Sequence, residues 1–125
     1  MSSVKASAAQ TGRLGEEEVA RFLKENGCII VKRNWKTRYG ELDIVADDGE
    51  NLIFVEVKTR SKGAMVSGID AVDAGKKLRT RNAAEVFALK LHTNLNIRID
   101  VADVVIYEDK NGKYKADINY YKNAF

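Results

Sequence analysis

Three ionisable side chains at short spacing, Asp43, Glu56 and Lys58, are the residues of this chain best suited to chemistry. Asp43 lies in one largely apolar run, Glu41–Ala46, and the other two lie in a second run, Asn51–Thr59. Carboxylates held close together either share protons or bind a cation, and hard oxygen ligands select magnesium, calcium or manganese over zinc. We therefore expect Asp43 and Glu56 to bind one Mg²⁺ or Mn²⁺ ion.

A metal ion held in this way favours hydrolysis of a phosphodiester bond. The ion would polarise a phosphoryl oxygen and lower the pKa of an attacking water, with the Val57 carbonyl available as a further ligand. Lys58, two residues after Glu56 and on the same strand face, would orient that water or offset charge on the phosphorus. The alternative is an ordinary ion pair between Lys58 and Glu56 or Asp43, because such spacings are frequent in charged β-proteins.

The two runs are predicted to form a β-hairpin, since Asp47–Glu50 between them contains an Asp-Gly pair. With a loop of two or four residues, one strand face carries the charged set Glu41, Asp43, Glu56 and Lys58, whereas a loop of three residues would scatter it. The opposite face is predicted to be wholly apolar: Leu42, Ile44, Ala46, Ile53, Val55 and Val57. Because the charged face is itself apolar near the turn, we expect helices on both sides.

The elements that must position these residues predict a single α/β domain. A helix is expected over Gly12–Asn26, with Thr11 as its N-cap and Gly27 as its stop. The further predicted elements are a strand over Cys28–Asn34, a helix over Asp70–Leu91, and strands over Ile97–Tyr107 and Tyr114–Tyr121. The apolar side of the second helix is predicted as Val72, Ala83, Val86 and Leu89. The sequence thus predicts a mixed sheet of about five strands flanked by helices over residues 12–125, after a disordered tail over residues 1–11.

Composition excludes several classes of protein. The chain has 125 residues, of which 45% are hydrophobic and 31% are charged, which is ordinary for a soluble globular domain. The single cysteine, Cys28, excludes an internal disulfide framework. No apolar run approaches a membrane span, and the first ten residues lack the apolar core of a secretory signal. We therefore expect a cytoplasmic protein that has no membrane partner.

The formal charge of +3 permits nucleic-acid binding, and the basic residues are clustered. The clusters are Lys32, Arg33, Lys36 and Arg38; Lys58, Arg60 and Lys62; and Lys76, Lys77, Arg79 and Arg81. From them we expect nucleic-acid contacts by Arg33, Lys36, Arg38, Arg60 and Lys76, mainly to phosphates. The alternative for each cluster is a solvated face.

The aromatic and isolated polar residues have alternatives of their own. Trp35, among the basic residues, either stacks on a base or packs in the core at a strand end. Arg98 and Asp100 lie on one strand face and can pair with each other. His92 is expected at a helix C-terminus, where the helix dipole favours it.

Two segments, Gly40-Glu-Leu-Asp43 and Phe54-Val-Glu-Val-Lys-Thr-Arg60, resemble the central motif of the PD-(D/E)XK nuclease superfamily, whose fold is restriction-endonuclease-like. Leu42 stands where that motif has proline. More closely, the chain resembles the YraN family, an uncharacterised bacterial family grouped with these nucleases. The additional matching segments are Gly12-Arg-Leu-Gly-Glu16, Arg33-Asn-Trp35, Ala71-Val72, Lys76, Arg98-Ile-Asp-Val101 and Asn123-Ala-Phe125.

The layout is also similar to archaeal Holliday-junction resolvases, in which a glutamate of the first helix joins the metal site. That resemblance implies the same role for Glu16, with Glu17 and Glu18 as neighbouring alternatives. It implies a magnesium-dependent endonuclease, and we expect DNA, including branched or structured DNA, as the substrate. The resemblance itself supplies no substrate, and the sequence distinguishes neither DNA from RNA nor a monomer from a homodimer. The residues leave two other interpretations open, a nucleic-acid-binding module without catalysis and a structural domain whose acidic pair belongs to an ion-pair network.

Overall fold

The computed structural model describes residues 8–63 and 74–125, and within them it confirms an α/β domain with a five-stranded mixed sheet. The elements are α1 (Ala8–Glu25), β1 (Ile29–Thr37), β2 (Gly40–Asp47), β3 (Asn51–Ser61), α2 (Ala74–Leu91), β4 (Asn96–Glu108) and β5 (Tyr114–Tyr121). The strands lie in the order β1-β2-β3-β4-β5, with β3 and β4 parallel and every other neighbouring pair antiparallel. The crossover between β3 and β4 contains α2. No helix of the described residues has the length and apolar character that a membrane span requires.

The predicted hairpin is present with the register that the sequence favours. Ile44 is opposite Val55 and Asp47 is opposite Leu52, which leaves residues 48–51 as a four-residue connection. Asp48 fixes this turn, because its Oδ1 accepts hydrogen bonds from the backbone N–H groups of residues 50 and 51 at 2.9 and 2.6 Å. Extended by one position, this register sets Asp43 of β2 opposite Glu56 of β3. Glu56 and Lys58, two positions apart, lie on the same face of β3.

Both faces of the sheet are covered by a helix, as expected. On one face α1 buries Val19, Ala20 and Leu23 against the sheet. On the other face α2 contributes Ala83 and Ala84 to a second core. Their small side chains add little bulk between the helix and the sheet.

Several predicted boundaries and faces are wrong. Residues 8–11, placed in the disordered tail, are helical, because α1 begins at Ala8 and not at Gly12. Strand β1 continues past Asn34 to Thr37, since Trp35, Lys36 and Thr37 pair with β2. Leu89, assigned to the core, is 75% exposed. Leu89 lies two positions after Phe87, which corresponds to about 200° around the helix. Because Phe87 packs against the sheet, Leu89 lies on the opposite side of α2. Residues 1–7, and Asp70, Ala71 and Val72 of the predicted second helix, lie outside the described residues.

Strand β1 departs from strict alternation at Asn34. This residue has a left-handed backbone with a φ of 52°, a conformation that asparagine tolerates better than most residues. Before it, Arg33 contacts Glu17 of α1, whereas after it Trp35 packs in the core beside α2. On the partner strand Leu42 likewise packs in the core beside α2 and not with Ile44 as predicted. The sheet changes face at the point where the candidate acidic residues lie.

Candidate metal centre

The carboxylate of Asp43 lies between β2 and β3, where their pairing ends. The last paired residues towards this end are Ile44 and Val55, and Asp43 Oδ2 then accepts the N–H of Val57 at 2.8 Å. Burial raises the pKa of this carboxyl to about 7, and the charge of Glu56 adds to the effect while the Val57 hydrogen bond opposes it. The folded chain therefore holds a carboxyl group here that is difficult to ionise without a nearby cation.

Glu56, the second predicted ligand, is buried and paired with two lysines. Its side chain is 5% exposed, and its Oε1 lies 3.1 Å from Lys58 Nζ and 3.0 Å from Lys76 Nζ. Lys58 comes from the same face of β3, whereas Lys76 comes from the first turn of α2. The ion pair that the sequence offered as an alternative for Lys58 and Glu56 is present, although its carboxylate is buried rather than on the surface.

Glu16 approaches the same group of acids from α1. Burial raises its pKa and Arg33 lowers it, while Glu41 and Glu56 are among the carboxylates whose charges raise it further. Asn34, with its amide nitrogen turned towards the carboxylates, donates to Glu41 Oε1 at 3.0 Å and to Glu16 Oε1 at 3.1 Å. Of the three neighbouring glutamates, Glu17 pairs with Arg33 and Glu18 pairs with Arg21, so Glu16 is the one facing the acidic group.

Sequence reasoning missed Asn34 and Glu41 as a linked pair. The sequence pattern predicts Asn34 as an ordinary strand residue. In the structure its left-handed backbone brings its amide to Glu41 of β2 and Glu16 of α1. The one available signal was an asparagine inside a run of strand-forming residues, since asparagine is unfavourable within strands.

The helix α1 approaches the sheet closely at Gly15, the residue before Glu16. A Cβ atom added at Gly15 would overlap Thr59 Oγ1 and would lie 2.8 Å from Thr59 Cγ2. Both contacts are closer than van der Waals separation, so only glycine allows this spacing between α1 and β3. The close approach fixes how near Glu16 comes to the other carboxylates.

We expect Gly15→Ala to push α1 away from β3 and to lower the melting temperature by several degrees, because a shift of the packed helix is needed to remove the clash. Gly12→Ala is the matched control, since a Cβ at Gly12 meets nothing within 4 Å and alanine favours the helix. Thermal unfolding followed by circular dichroism measures both. Equal melting temperatures for the two variants would contradict the close approach.

The donor set fits a hard divalent cation. Asp43 and Glu56 supply carboxylate oxygens, and Glu16 and Glu41 add negative charge that raises the pKa of Asp43. Within residues 8–63 and 74–125 no three histidine, cysteine, aspartate or glutamate side chains are arranged to hold a metal ion together. Carboxylate oxygens are the ligands that Mg²⁺ prefers, so Asp43 and Glu56 are the residues of this site that could hold such an ion.

The five basic residues predicted to contact nucleic acid have different surroundings. Arg33 Nη1 lies 2.8 Å from Glu17 Oε1, and Arg60 Nε lies 3.7 Å from Asp103 Oδ1, so both form ion pairs within the chain. Lys76 contacts Glu56, as described above. Lys36 and Arg38 instead line an open groove beside the turn between β1 and β2.

The remaining predictions about single residues agree with the structure. Trp35 packs in the core, edge-on to Phe87 with ring centroids 5.0 Å apart. Arg98 pairs with Asp100 through two nitrogens, at 3.0 and 2.9 Å. His92 directly follows the last residue of α2.

The raised pKa of Asp43 predicts a specific dependence of stability on pH. In the unfolded chain this carboxyl ionises near pH 4, but in the folded chain only near pH 7. The folded state therefore binds more protons between these values, so the free energy of unfolding falls as the pH rises from about 4 to about 7. We expect Asp43→Asn to remove this decline, on the order of 2–4 kcal/mol, because the amide oxygen still accepts the Val57 N–H.

Thermal unfolding from pH 4 to 8, with and without millimolar Mn²⁺, measures this effect. At pH 8 the wild type is expected to gain stability from the metal, whereas Asp43→Asn is expected to be more stable than the metal-free wild type and to gain nothing. Asp117→Asn, a substitution on β5, is the control for a general loss of acidic charge. Parallel pH profiles for the wild type and Asp43→Asn would contradict the assigned pKa.

Comparison with known proteins gives one consistent family. A family model described as "Uncharacterised protein family UPF0102" matches residues 15–104. A UPF0102 protein of Parafrankia sp. is 43% identical over 107 residues, covering 85% of this chain and 89% of the relative. A UPF0102 protein of Alkaliphilus oremlandii is 38% identical over 117 residues, covering 91% of this chain and 96% of the relative. The UPF0102 protein of Bacteroides thetaiotaomicron is 35% identical over 116 residues, covering 93% and 92%.

Among solved structures, SfsA of Pyrococcus furiosus in complex with Ca²⁺ resembles this chain weakly. The TM-score is 0.34 and the identity 17%, over 91% of this chain and 61% of that chain. A similarity of this size supports no argument about the fold or about ligands.

Proposed function

The chain belongs to the UPF0102 family, also called the YraN family, and we propose that it is a metal-dependent nuclease that hydrolyses phosphodiester bonds in DNA. The observation that carries this proposal is the partly buried Asp43 and the buried Glu56 where β2 and β3 separate, with Lys58 paired to Glu56. The family description supplies no activity, so the proposal depends on the chemistry of these side chains and on the sequence resemblance to PD-(D/E)XK nucleases.

Asp43 and Glu56 are the proposed ligands of Mg²⁺ or Mn²⁺, with Glu16 nearby on α1. The bound ion would polarise a phosphoryl oxygen and lower the pKa of its bound water. Asp43 is held in place by the Val57 N–H, so its oxygen position is fixed before any ligand arrives. In this proposal Lys58, whose Nζ lies 3.1 Å from Glu56 Oε1, orients a water molecule or stabilises charge that develops on the phosphate.

The pairing of Glu56 with two lysines favours one alternative. Lys58 and Lys76 compensate the charge of Glu56 without any metal, as expected for a module that keeps the fold and binds nucleic acid without cutting it. A nuclease and a binding module differ in turnover, whereas a purely structural domain would show neither metal binding nor salt-dependent affinity for nucleic acid.

The deciding experiment is cleavage of a substrate panel with Mn²⁺ or Mg²⁺. The panel contains end-labelled branched, flapped, single-stranded and duplex DNA, with RNA versions of each. We expect metal-dependent cleavage of at least the branched or flapped DNA, none in EDTA and none by Asp43→Asn. Lys115→Ala, on β5, serves as the control preparation for contaminating nucleases and is expected to cut normally. Binding without cleavage of any substrate would replace the nuclease by the binding module.

A further inference from the structure

A groove of about 330 Å³ lies between the turn joining β1 and β2 and the second half of α2. Three cationic residues, Lys36, Arg38 and Lys90, line it together with the rings of Trp35 and Tyr39. None of its lining residues is acidic. We call this the aromatic groove. Its composition favours an anionic ligand that also carries flat aromatic surfaces.

Both rings lie beneath cations that are exposed to solvent. The Arg38 guanidinium carbon is 4.9 Å from the centre of the Tyr39 ring, and Lys90 Nζ is 5.5 Å from the centre of the Trp35 ring. At these distances each cation is attracted electrostatically to the face of its ring. Arg38 and Lys90 are exposed, so each can turn towards a phosphate group. For Arg38 this exchanges its hydrogen bond to the Tyr39 hydroxyl, 2.7 Å long, for one to the phosphate, and it leaves the face of the Tyr39 ring to a base.

The aromatic groove shares Tyr39 with a second cavity that is lined by residues of the candidate metal centre. Tyr39 also lines a smaller cavity of about 80 Å³, whose other lining residues include Glu41 and Lys76. Lys76 in turn contacts Glu56 at 3.0 Å. Tyr39 therefore lies between the aromatic groove and a cavity lined by Glu41 and by the lysine that contacts Glu56.

We propose that the aromatic groove binds an unpaired nucleotide of the substrate, with its base stacked on Tyr39 and its phosphates on Lys36, Arg38 and Lys90. This proposal rests on the proposed function and names its substrate class as single-stranded DNA or DNA with a single-stranded branch. The volume is at the lower end of the range for small-molecule pockets, about 300–1,000 Å³, and a double helix is too wide to enter. A base can stack on a ring only when it is unpaired.

The chain offers a matched control on its other side. Lys62 Nζ lies 5.7 Å from the centre of the Tyr107 ring, beside a groove of about 370 Å³. That groove also contains Glu108, whose charge opposes phosphate binding. Tyr107→Leu therefore removes a ring under a cation without touching the aromatic groove.

Binding is measured by fluorescence anisotropy in EDTA, so that no cleavage occurs, with one labelled oligonucleotide as a single strand and as a blunt duplex. Tyr39→Leu is expected to weaken single-strand binding about tenfold and duplex binding less than twofold, since the loss of one stacked base is of that order. Tyr107→Leu is expected to change both by less than twofold. Equal losses for single strand and duplex with Tyr39→Leu, or no loss, would overturn the proposal.

The wild-type chain provides a second measurement, because Trp35 is its only tryptophan and lines the groove. Saturating single-stranded DNA is expected to quench Trp35 fluorescence by at least a third, whereas inorganic polyphosphate is expected to leave it nearly unchanged. Unchanged fluorescence with saturating DNA would also overturn the proposal. Both measurements are made without metal, so they remain valid if no substrate of the panel is cleaved. Cleavage without quenching would refute the proposed role of the aromatic groove but not the proposed nuclease activity.

Discussion

Replacement of Glu56 by glutamine is expected to lower manganese-dependent cleavage by about a thousandfold or more. The change keeps the shape of the side chain but removes the charge that we propose for metal binding. A bound metal supplies several kcal/mol of charge stabilisation in the transition state, and every 1.36 kcal/mol corresponds to a tenfold change in rate. Single-turnover cleavage of the best substrate in the panel measures the loss directly.

The control for Glu56→Gln is Asp103→Asn. Asp103 is also buried, with its side chain 3% exposed, and it also lies near a cation of β3, with Arg60 Nε at 3.7 Å. Both substitutions remove a buried negative charge beside a basic side chain, so both are expected to reduce stability. Only Glu56→Gln is expected to abolish metal binding and cleavage. A similar loss of cleavage in both variants would show that the effect comes from stability.

The architecture was predictable because local signals agree with each other. The Asp-Gly turn and the alternating runs on either side predict both the hairpin and its register, and Asp48 holds the turn as observed. The run Tyr114–Tyr121 is bounded by a turn at Asp109–Gly112 and forms β5 as predicted. Because the two strands are apolar on both sides near the turn, a helix was expected on each face of the sheet, and the structure has one on each face.

The details around the acids were not predictable, since they depend on a break in the strand pattern and on contacts across the fold. Strict alternation placed Leu42 with Ile44, but the left-handed backbone at Asn34 lies where β1 and β2 change face. The contact between Lys76 and Glu56 depends on where α2 packs, which no local pattern indicates. The close approach of Gly15 to Thr59 is likewise visible only once both elements are in place.

The position of Lys58 separates a catalytic role from a structural one, and its replacement is the second large effect that we expect. Lys58 is one of two lysines on Glu56 Oε1, and its side chain is 32% exposed whereas the carboxylate is buried. In Lys58→Ala the contact from Lys76 remains, so Glu56 keeps a cationic partner and metal binding is expected to survive. If Lys58 orients the attacking water or stabilises developing charge, cleavage is expected to fall about a hundredfold or more.

Lys76→Ala is the matched control, because it removes the other ammonium group from the same oxygen, at 3.0 Å instead of 3.1 Å. A purely structural pair predicts similar, small effects for the two variants, since either lysine leaves the other in place. A catalytic Lys58 predicts a large loss for Lys58→Ala, a smaller loss for Lys76→Ala and poor rescue by Lys58→Arg, whose planar guanidinium differs in shape from an ammonium group. Single-turnover cleavage with Mn²⁺, after calorimetry has established metal binding by each variant, measures all three. Wild-type cleavage by Lys58→Ala would refute the proposed role of Lys58, even if Glu56→Gln is inactive.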